Sequence, residues 1–147
     1  EEHVVHGKTC KCCVHRKGAT RALGGDHPEL ANRFSSVGQP VLVPGDMGTA
    51  SWVLAGPKKG ANDAFSSSCH GAGRQLSRTA ARKSVDSLAL RERLEASGIH
   101  VRAKTPNVLA EEAPEAYKDV DEVIALTNAA NLARPVARLR PFAVIKG

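Results

Sequence analysis

The sequence predicts a mixed α+β fold. Short β-branched runs alternate with stretches rich in Ala, Leu and Arg, glycine and proline punctuate the junctions, and no internal repeat or low-complexity tract is present. Residues 1–23 read as extended chain broken at Gly7, with small and β-branched residues around Cys12-Cys13-Val14 and a basic exit through Lys17-Gly18. From Leu23 to Pro40, the mix of Gly24-Gly25-Asp26, Pro28, Asn32, Ser35-Ser36 and Gly38 is turn chemistry without periodicity, so a surface loop is expected. Val41-Leu42-Val43 then enters Pro44-Gly45-Asp46-Met47-Gly48-Thr49-Ala50-Ser51 and leaves through Trp52-Val53-Leu54-Ala55, the pattern of strand, glycine loop, strand. Gly45 and Gly48 permit the close approaches that a loop folded against a ligand requires, although an ordinary turn is the commoner use of such a loop.

Beyond Gly56-Pro57 a polar segment reaches Ser66-Ser67-Ser68. Ala72 to Lys83 consists of good helix formers and predicts a helix starting between Gly71 and Arg74. Asp86 has the chemistry of an N-cap for a helix running through Ala96 and closed by Gly98, with Leu88, Leu90 and Leu94 toward the interior. Ile99 to Ala103 alternates as a strand does, and Pro114 interrupts the acidic stretch from Glu111 to Glu115. Val120, Val123, Ile124 and Leu126 suggest a helix ending near Ala130, and Val136 to Ile145 a strand interrupted at Pro141.

A chain of 147 residues, 41% hydrophobic and 24% charged, can bury one core of its own. With aromatics at 3%, that core must rest on aliphatic side chains and alanine, and so thin a core points to a missing partner segment. No apolar run is long enough to cross a bilayer, and Glu1-Glu2-His3-Val4-Val5-His6 has neither the basic start nor the apolar stretch of a signal peptide, so no membrane association and a cytoplasmic location are expected. The four cysteines, Cys10, Cys12, Cys13 and Cys69, read as bunched rather than spread, and adjacent Cys12 and Cys13 make a poor disulfide framework, which fits reduced thiols. The net charge of +6 favours anionic partners, and the basic residues fall in three islands: His15-Arg16-Lys17 with Arg21; Arg74, Arg78, Arg82 and Lys83; and Arg134, Arg138, Arg140 and Lys146. Three such islands would suit convergence on one groove.

The most informative window is Cys69-His70-Gly71-Ala72-Gly73-Arg74-Gln75-Leu76-Ser77-Arg78. It puts a histidine beside glycines at the mouth of the predicted helix, where free N–H groups face an anion and the positive helix end disfavours imidazolium. A neutral imidazole nitrogen can attack a nucleotide phosphate. Arg74, Arg78 and Arg82 would then line one helix face. The bland alternative is a surface histidine before a flexible turn, with arginines that only solvate a helix.

Several separated segments carry a resemblance. They are Val14-His15-Arg16-Lys17-Gly18-Ala19-Thr20-Arg21, Gly38-Gln39-Pro40-Val41-Leu42-Val43-Pro44-Gly45, Met47-Gly48-Thr49-Ala50-Ser51, Cys69 to Arg74, Ala110 to Asp119, and Leu139-Arg140-Pro141 with Val144-Ile145-Lys146-Gly147. In this order they make residues 1–147 resemble the C-terminal part of the catalytic domain of RtcB-type RNA ligases. The resemblance implies a GTP- and manganese-dependent enzyme. Such an enzyme joins an RNA 3′-phosphate or 2′,3′-cyclic phosphate to a 5′-hydroxyl, in tRNA splicing and RNA repair, acting on tRNA halves with an archease-type activator as a further partner. It implies His70 as the residue that carries guanylate. It implies guanylate contacts at Pro44, Gly45, Asp46, Met47, Ser51, His70, Gly71, Ala72, Gly73 and Lys146, with Tyr117 on or beside the guanine. Lys17, Arg74 and Arg78 are assigned to RNA phosphates.

Two departures bear on this. Asp46 stands where the family commonly has a small hydroxyl residue, and a carboxylate near a bound phosphate repels it unless it points at the base or at a cation. The family's metal ligands belong to the part upstream of Glu1, so no metal ligand is assigned in this sequence, and the chain alone is expected not to ligate. Cys10, Cys12 and Cys13 with His3, His6 and His15 lack the spacing of a zinc finger. Glu111, Glu112 and Glu115 read as solvated acids around a proline turn and receive no role. The alternative function is a non-catalytic RNA- or nucleotide-binding module; a zinc-stabilised structural module ranks third.

Overall fold

The computed structural model describes residues 1–57 and 64–147, so part of the polar segment after Pro57 lies outside the described residues. Strands β1 (Glu2–Val5) and β2 (Lys8–Lys11) form an antiparallel hairpin about His6 and Gly7, both with positive φ, which is where the break at Gly7 was expected. β3 (Ala19–Arg21) pairs antiparallel with β6 (Ser67–Cys69). β4 (Pro40–Pro44), β5 (Ser51–Ala55) and β8 (Arg134–Leu139) form a three-stranded antiparallel sheet in that order, and β7 (His100–Ala103) runs parallel to β9 (Ala143–Lys146). With helices α1 (Arg78–Ser84), α2 (Ser87–Ala96), α3 (Pro106–Glu111) and α4 (Val120–Ala129), the class is mixed α+β, as the sequence predicts.

The interior has two parts. On β4, Val41 and Val43 point inward while Leu42 points out, as strand alternation demands. They meet Leu54, Ala50, Ala72 and the α4 residues Val120 and Ile124. A second cluster joins Leu90 and Leu94 of α2 to Leu109, Val101, Val144, Ile99, Ala113 and Met47. Both rest on aliphatic side chains and alanine. Trp52 packs against the first cluster, and its indole donates to the Asp121 carboxylate at 2.7 Å.

Local chemistry explains the helix ends. The Asp86 carboxylate accepts from the Leu88 and Ala89 amides, and Gly98 (φ +81°) ends the helix, both as the sequence indicates. Asp119 caps α4 by accepting from the Asp121 amide. Four expectations need correction. Helix α1 begins at Arg78 rather than between Gly71 and Arg74, because the Ser77 hydroxyl accepts from the Ala80 amide and Gly73 has φ +80°. Leu88 is 65% exposed rather than interior, since Leu90 and Leu94 occupy the buried face. Helix α3, capped by Thr105 with Pro106 in its first turn, occupies a stretch for which the sequence reading has no element. The stretch 23–40 is a surface loop only in its middle. Leu23, Gly24, Gly25 and Gly38 are buried, and the Gln39 amide donates to the Leu23 carbonyl at 2.9 Å.

Candidate active site

A cleft of about 370 Å³ opens beside the loop that connects β4 to β5. Pro44, Gly45, Asp46, Met47, Ser51, Tyr117 and Lys146 line it, together with Glu112 and residues of the 141–145 stretch. The loop can fold this tightly because its first residue, Gly45, lacks a side chain. A Cβ on Gly45 would fall 2.1 Å from the Ala50 carbonyl oxygen and 2.9 Å from Val120 Cγ1. Asp46 braces the same loop: Oδ1 accepts from the Gly48 and Thr49 amides at 2.8 and 2.9 Å, and Oδ2 from the Thr49 hydroxyl at 2.6 Å. Its negative charge is therefore turned onto the loop's own donors. Met47 is buried in the second core while it also lines the cleft.

The segment from His70 to Leu76 is strung between this loop and the Tyr117 region. The His70 amide donates to the Gly18 carbonyl at 3.3 Å, and the Ala72 amide to the Pro44 carbonyl at 3.0 Å. On the other side the Lys118 amide donates to the Gly73 carbonyl at 2.9 Å, and the Gln75 and Leu76 amides donate to the Ala116 carbonyl. Ala72 is buried, and its methyl sits in the first core. His70 is exposed, and its imidazole makes no hydrogen bond or ion pair among the described residues. His70 to Gly73 do not themselves line the cleft but run beside its edge at Pro44.

Two parts of the electrostatic picture change. Because α1 begins at Arg78, His70 does not lie at a helix N-terminus, and the helix-end argument for a neutral imidazole does not apply. Arg74 likewise precedes the helix, so only Arg78 and Arg82 share its face. The Arg74 guanidinium is spent on protein partners. It donates to the Leu76 carbonyl (3.0 Å), Glu112 Oε1 (3.2 Å), the Tyr117 hydroxyl (3.0 Å) and the Glu111 carbonyl (2.5 Å), and it lies 4.8 Å from the Tyr117 ring centre.

Glu111 and Glu112 are not solvated acids, and this overturns the reading that left them without a role. Their side chains are 14% and 18% exposed. Glu111 holds Arg82 at 2.5 Å and Arg78 at 3.6 Å. Glu112 Oε2 accepts from the Tyr117 hydroxyl at 2.5 Å and lies 3.6 Å from Lys146 Nζ, while Oε1 faces Arg74 and, at 3.7 Å, Arg78. Burial pushes the Glu112 carboxyl up, but the Tyr117 hydroxyl and the charges of Lys146, Arg74 and Arg78 outweigh it and hold the group below its ordinary value. Burial raises the Tyr117 phenol, and the Glu112 carboxylate raises it further, against the opposing pull of Arg74. Apart from Tyr117, five residues on, the partners of Glu112 are distant in sequence, so no local pattern marks the cluster.

The second and third basic islands thus converge at Glu112, through Arg74, Arg78 and Lys146. The first does not: Arg16 is bound to Glu1, Ser67 and the Phe65 carbonyl. Lys17 is exposed, makes no ion pair among the described residues, and precedes the glycine whose carbonyl receives the His70 amide. Cys69 accepts from the Thr127 hydroxyl at 3.4 Å and packs against the first core. Cys13 Sγ lies 3.4 Å from His15 Nε2. Among the described residues no three His, Cys, Asp or Glu side chains gather where they could hold a metal ion. None of the described helices is long and apolar enough to cross a membrane.

The family described as tRNA-splicing ligase RtcB matches residues 1–147. A tRNA-splicing ligase RtcB of Thermococcus kodakarensis is 54% identical over the whole chain, which covers 30% of that relative. One of Archaeoglobus fulgidus is 50% identical, again over the whole chain and 30% of the relative. RNA-splicing ligase RtcB homolog 1 of Entamoeba dispar is 46% identical, with 28% of its length covered. The chain therefore spans less than a third of the length of these relatives. With the match unbroken from Glu1 to Gly147 and near half identity across archaea and a eukaryote, this chain belongs to the tRNA-splicing ligase RtcB family.

Proposed function

We propose that this chain is the guanylate-carrying part of a GTP-dependent RNA ligase, with His70 as nucleophile. One observation carries the reading: an exposed imidazole, without a hydrogen-bond partner among the described residues, on a segment hydrogen-bonded to the rim of a cleft that Gly45, Ser51, Tyr117 and Lys146 line. In this scheme an imidazole nitrogen of His70 attacks the α-phosphate of GTP. A P–N bond forms and the bond to the departing pyrophosphate breaks. The guanylate passes to an RNA 3′-phosphate, obtained by opening of a 2′,3′-cyclic phosphate where needed, and attack by a 5′-hydroxyl releases GMP.

The chain's own residues supply positioning and charge. Lys146 brings a cation to the cleft, the loop after Pro44 brings backbone groups, and Ser51 brings a hydroxyl. Tyr117 stands at the wall for a base to pack on, Lys17 and Arg78 are the cations offered to RNA phosphate, and Arg74, whose guanidinium is held by protein acceptors, braces Tyr117 beside them. Manganese would supply Lewis acidity at phosphate from ligands outside this sequence, and no step is drawn through it. The substrates on this reading are tRNA halves and broken RNA in the cytoplasm, with an archease-type activator as partner.

The test is to incubate the complete polypeptide that contains this chain with α-labelled GTP and manganese. Acid-labile, alkali-stable label on the wild type that is absent from His70→Ala is expected. Label that persists in His70→Ala would overturn the assignment. Binding of GTP and RNA without any label would favour the non-catalytic binding module instead.

A further inference from the structure

Glu112 is the point at which the cleft and the arginines share one side chain, and its two oxygens divide the partners cleanly. Oε2 takes the Tyr117 hydroxyl at 2.5 Å and faces Lys146 at 3.6 Å, both residues of the cleft wall. Oε1 takes Arg74 at 3.2 Å and faces Arg78 at 3.7 Å. We propose that Glu112 is a positioning residue for the nucleotide cleft, anchored through Oε1 by Arg74 and Arg78 and fixing the orientation of Tyr117 and Lys146 through Oε2.

The physical need is plain. A phenol on a flexible side chain has no reason to keep one ring plane, and a lysine on four methylenes keeps one position only when its ammonium is held. A charged acceptor holds both at once and bonds more strongly than a neutral one. Arg74 completes the clamp by lying over the Tyr117 ring while it donates to the hydroxyl, so the ring is fixed at face and edge. The four donor contacts of Arg74 also make it the interior end of the clamp. Arg78, whose side chain is 66% exposed, is the end open to a ligand.

This inference rests on reading the cleft as a guanine nucleotide site, and the test separates the two. Tyr117 is the sole tyrosine of the chain, so phenolate absorbance during an alkaline titration reports on it alone. Glu112→Gln keeps the shape and removes the charge. Its phenol is expected to ionise at distinctly lower pH than the wild type's, because a negative acceptor no longer favours the protonated form. In the complete polypeptide the same substitution is expected to weaken GTP binding roughly tenfold, the effect of losing a charged hydrogen-bond partner. Combined with Tyr117→Phe, the loss should be much less than the product of the single losses. Glu112→Asp, which restores the charge on a shorter arm, should recover part of the affinity. An unmoved phenol overturns the proposal, as does wild-type GTP affinity in Glu112→Gln with unchanged circular dichroism. A wild-type protein that binds no guanine nucleotide overturns the functional reading and this proposal with it, whereas sound wild-type binding that is indifferent to Glu112 overturns the proposal alone.

Discussion

The Trp52 indole nitrogen and the Asp121 carboxylate meet at 2.7 Å, tying β5 to the first turn of α4, while Arg138 of β8 grips the same carboxylate with bonds of 2.9 to 3.1 Å. One acid thus joins a helix to two strands of the sheet. Asp121→Ala leaves the indole N–H without an acceptor and is expected to cost about 1–2 kcal/mol. Asp121→Asn, which can still accept from the indole, should cost less. Trp52 is the only tryptophan, so its fluorescence in a urea titration measures both.

Gly45→Ala puts a methyl where the Ala50 carbonyl oxygen and Val120 already sit. Backbone must move to admit it, which is expected to cost roughly 1–3 kcal/mol or more and to reshape the cleft. Gly73→Ala is the contrast. There a Cβ meets open space and the strain comes from φ +80° alone, so a loss of about 1 kcal/mol is expected. Thermal unfolding of the two variants ranks them.

Acid should weaken the fold through Glu112 and Asp121. Glu112 is held below its ordinary value, burial notwithstanding, by Tyr117 and its three cations; Asp121 is held low by Arg138 and Trp52. A carboxyl whose folded value lies below its unfolded one lends stability that is complete above the unfolded value, about 4. That stability drains away as pH falls through the folded one. Stability should therefore decline below about pH 4. Glu112→Gln is expected to flatten part of that decline, as read by urea midpoints at successive pH values.

Raised ionisation of Tyr117 gives the opposite limb. Its neutral form is favoured in the folded state, so its contribution is intact below the free-phenol value, about 10, and is lost as pH climbs through the folded value. Tyr117→Phe should remove that alkaline slope while the acid limb contributed by Asp121 remains.

Arg74 and Arg78 should separate in their effects even though both were assigned to RNA phosphates. Arg78→Ala in the complete polypeptide is expected to lower the slope of log affinity against log salt by about 0.7 for single-stranded RNA, and Lys17→Ala should act similarly. Arg74→Ala removes a brace between the histidine segment and α3, so destabilisation of roughly 2 kcal/mol should dominate. Salt-dependent binding and unfolding measured side by side distinguish them.

Where a structural cue is local, the sequence carried it. Asp86 and Gly98 bound α2, Pro44 to Ser51 form a tight loop between two strands, and Pro141 separates β8 from β9. Where tertiary bonds override a local propensity, sequence and structure part. The Ala and Arg after Gly71 favour a helix, but tertiary hydrogen bonds from Gln75 and Leu76 to Ala116 occupy the backbone there, and Ser77 supplies the cap. Thr105 followed by Pro106 is local start chemistry for α3 as well, in a helix too short for periodicity to mark. Glu112 is marked by little in its own stretch, because beyond the nearby Tyr117 its character comes from Arg74, Arg78 and Lys146, which only the folded chain brings together.

The loop from Gly45 to Ala50 has one foot in each interior cluster, Met47 in one and Ala50 in the other. The cleft is in that sense a hinge pin shared by two halves, and it has no integrity apart from them. If heating loosens either half first, nucleotide capture should vanish at that earlier transition, while circular dichroism still records much of the remaining half intact.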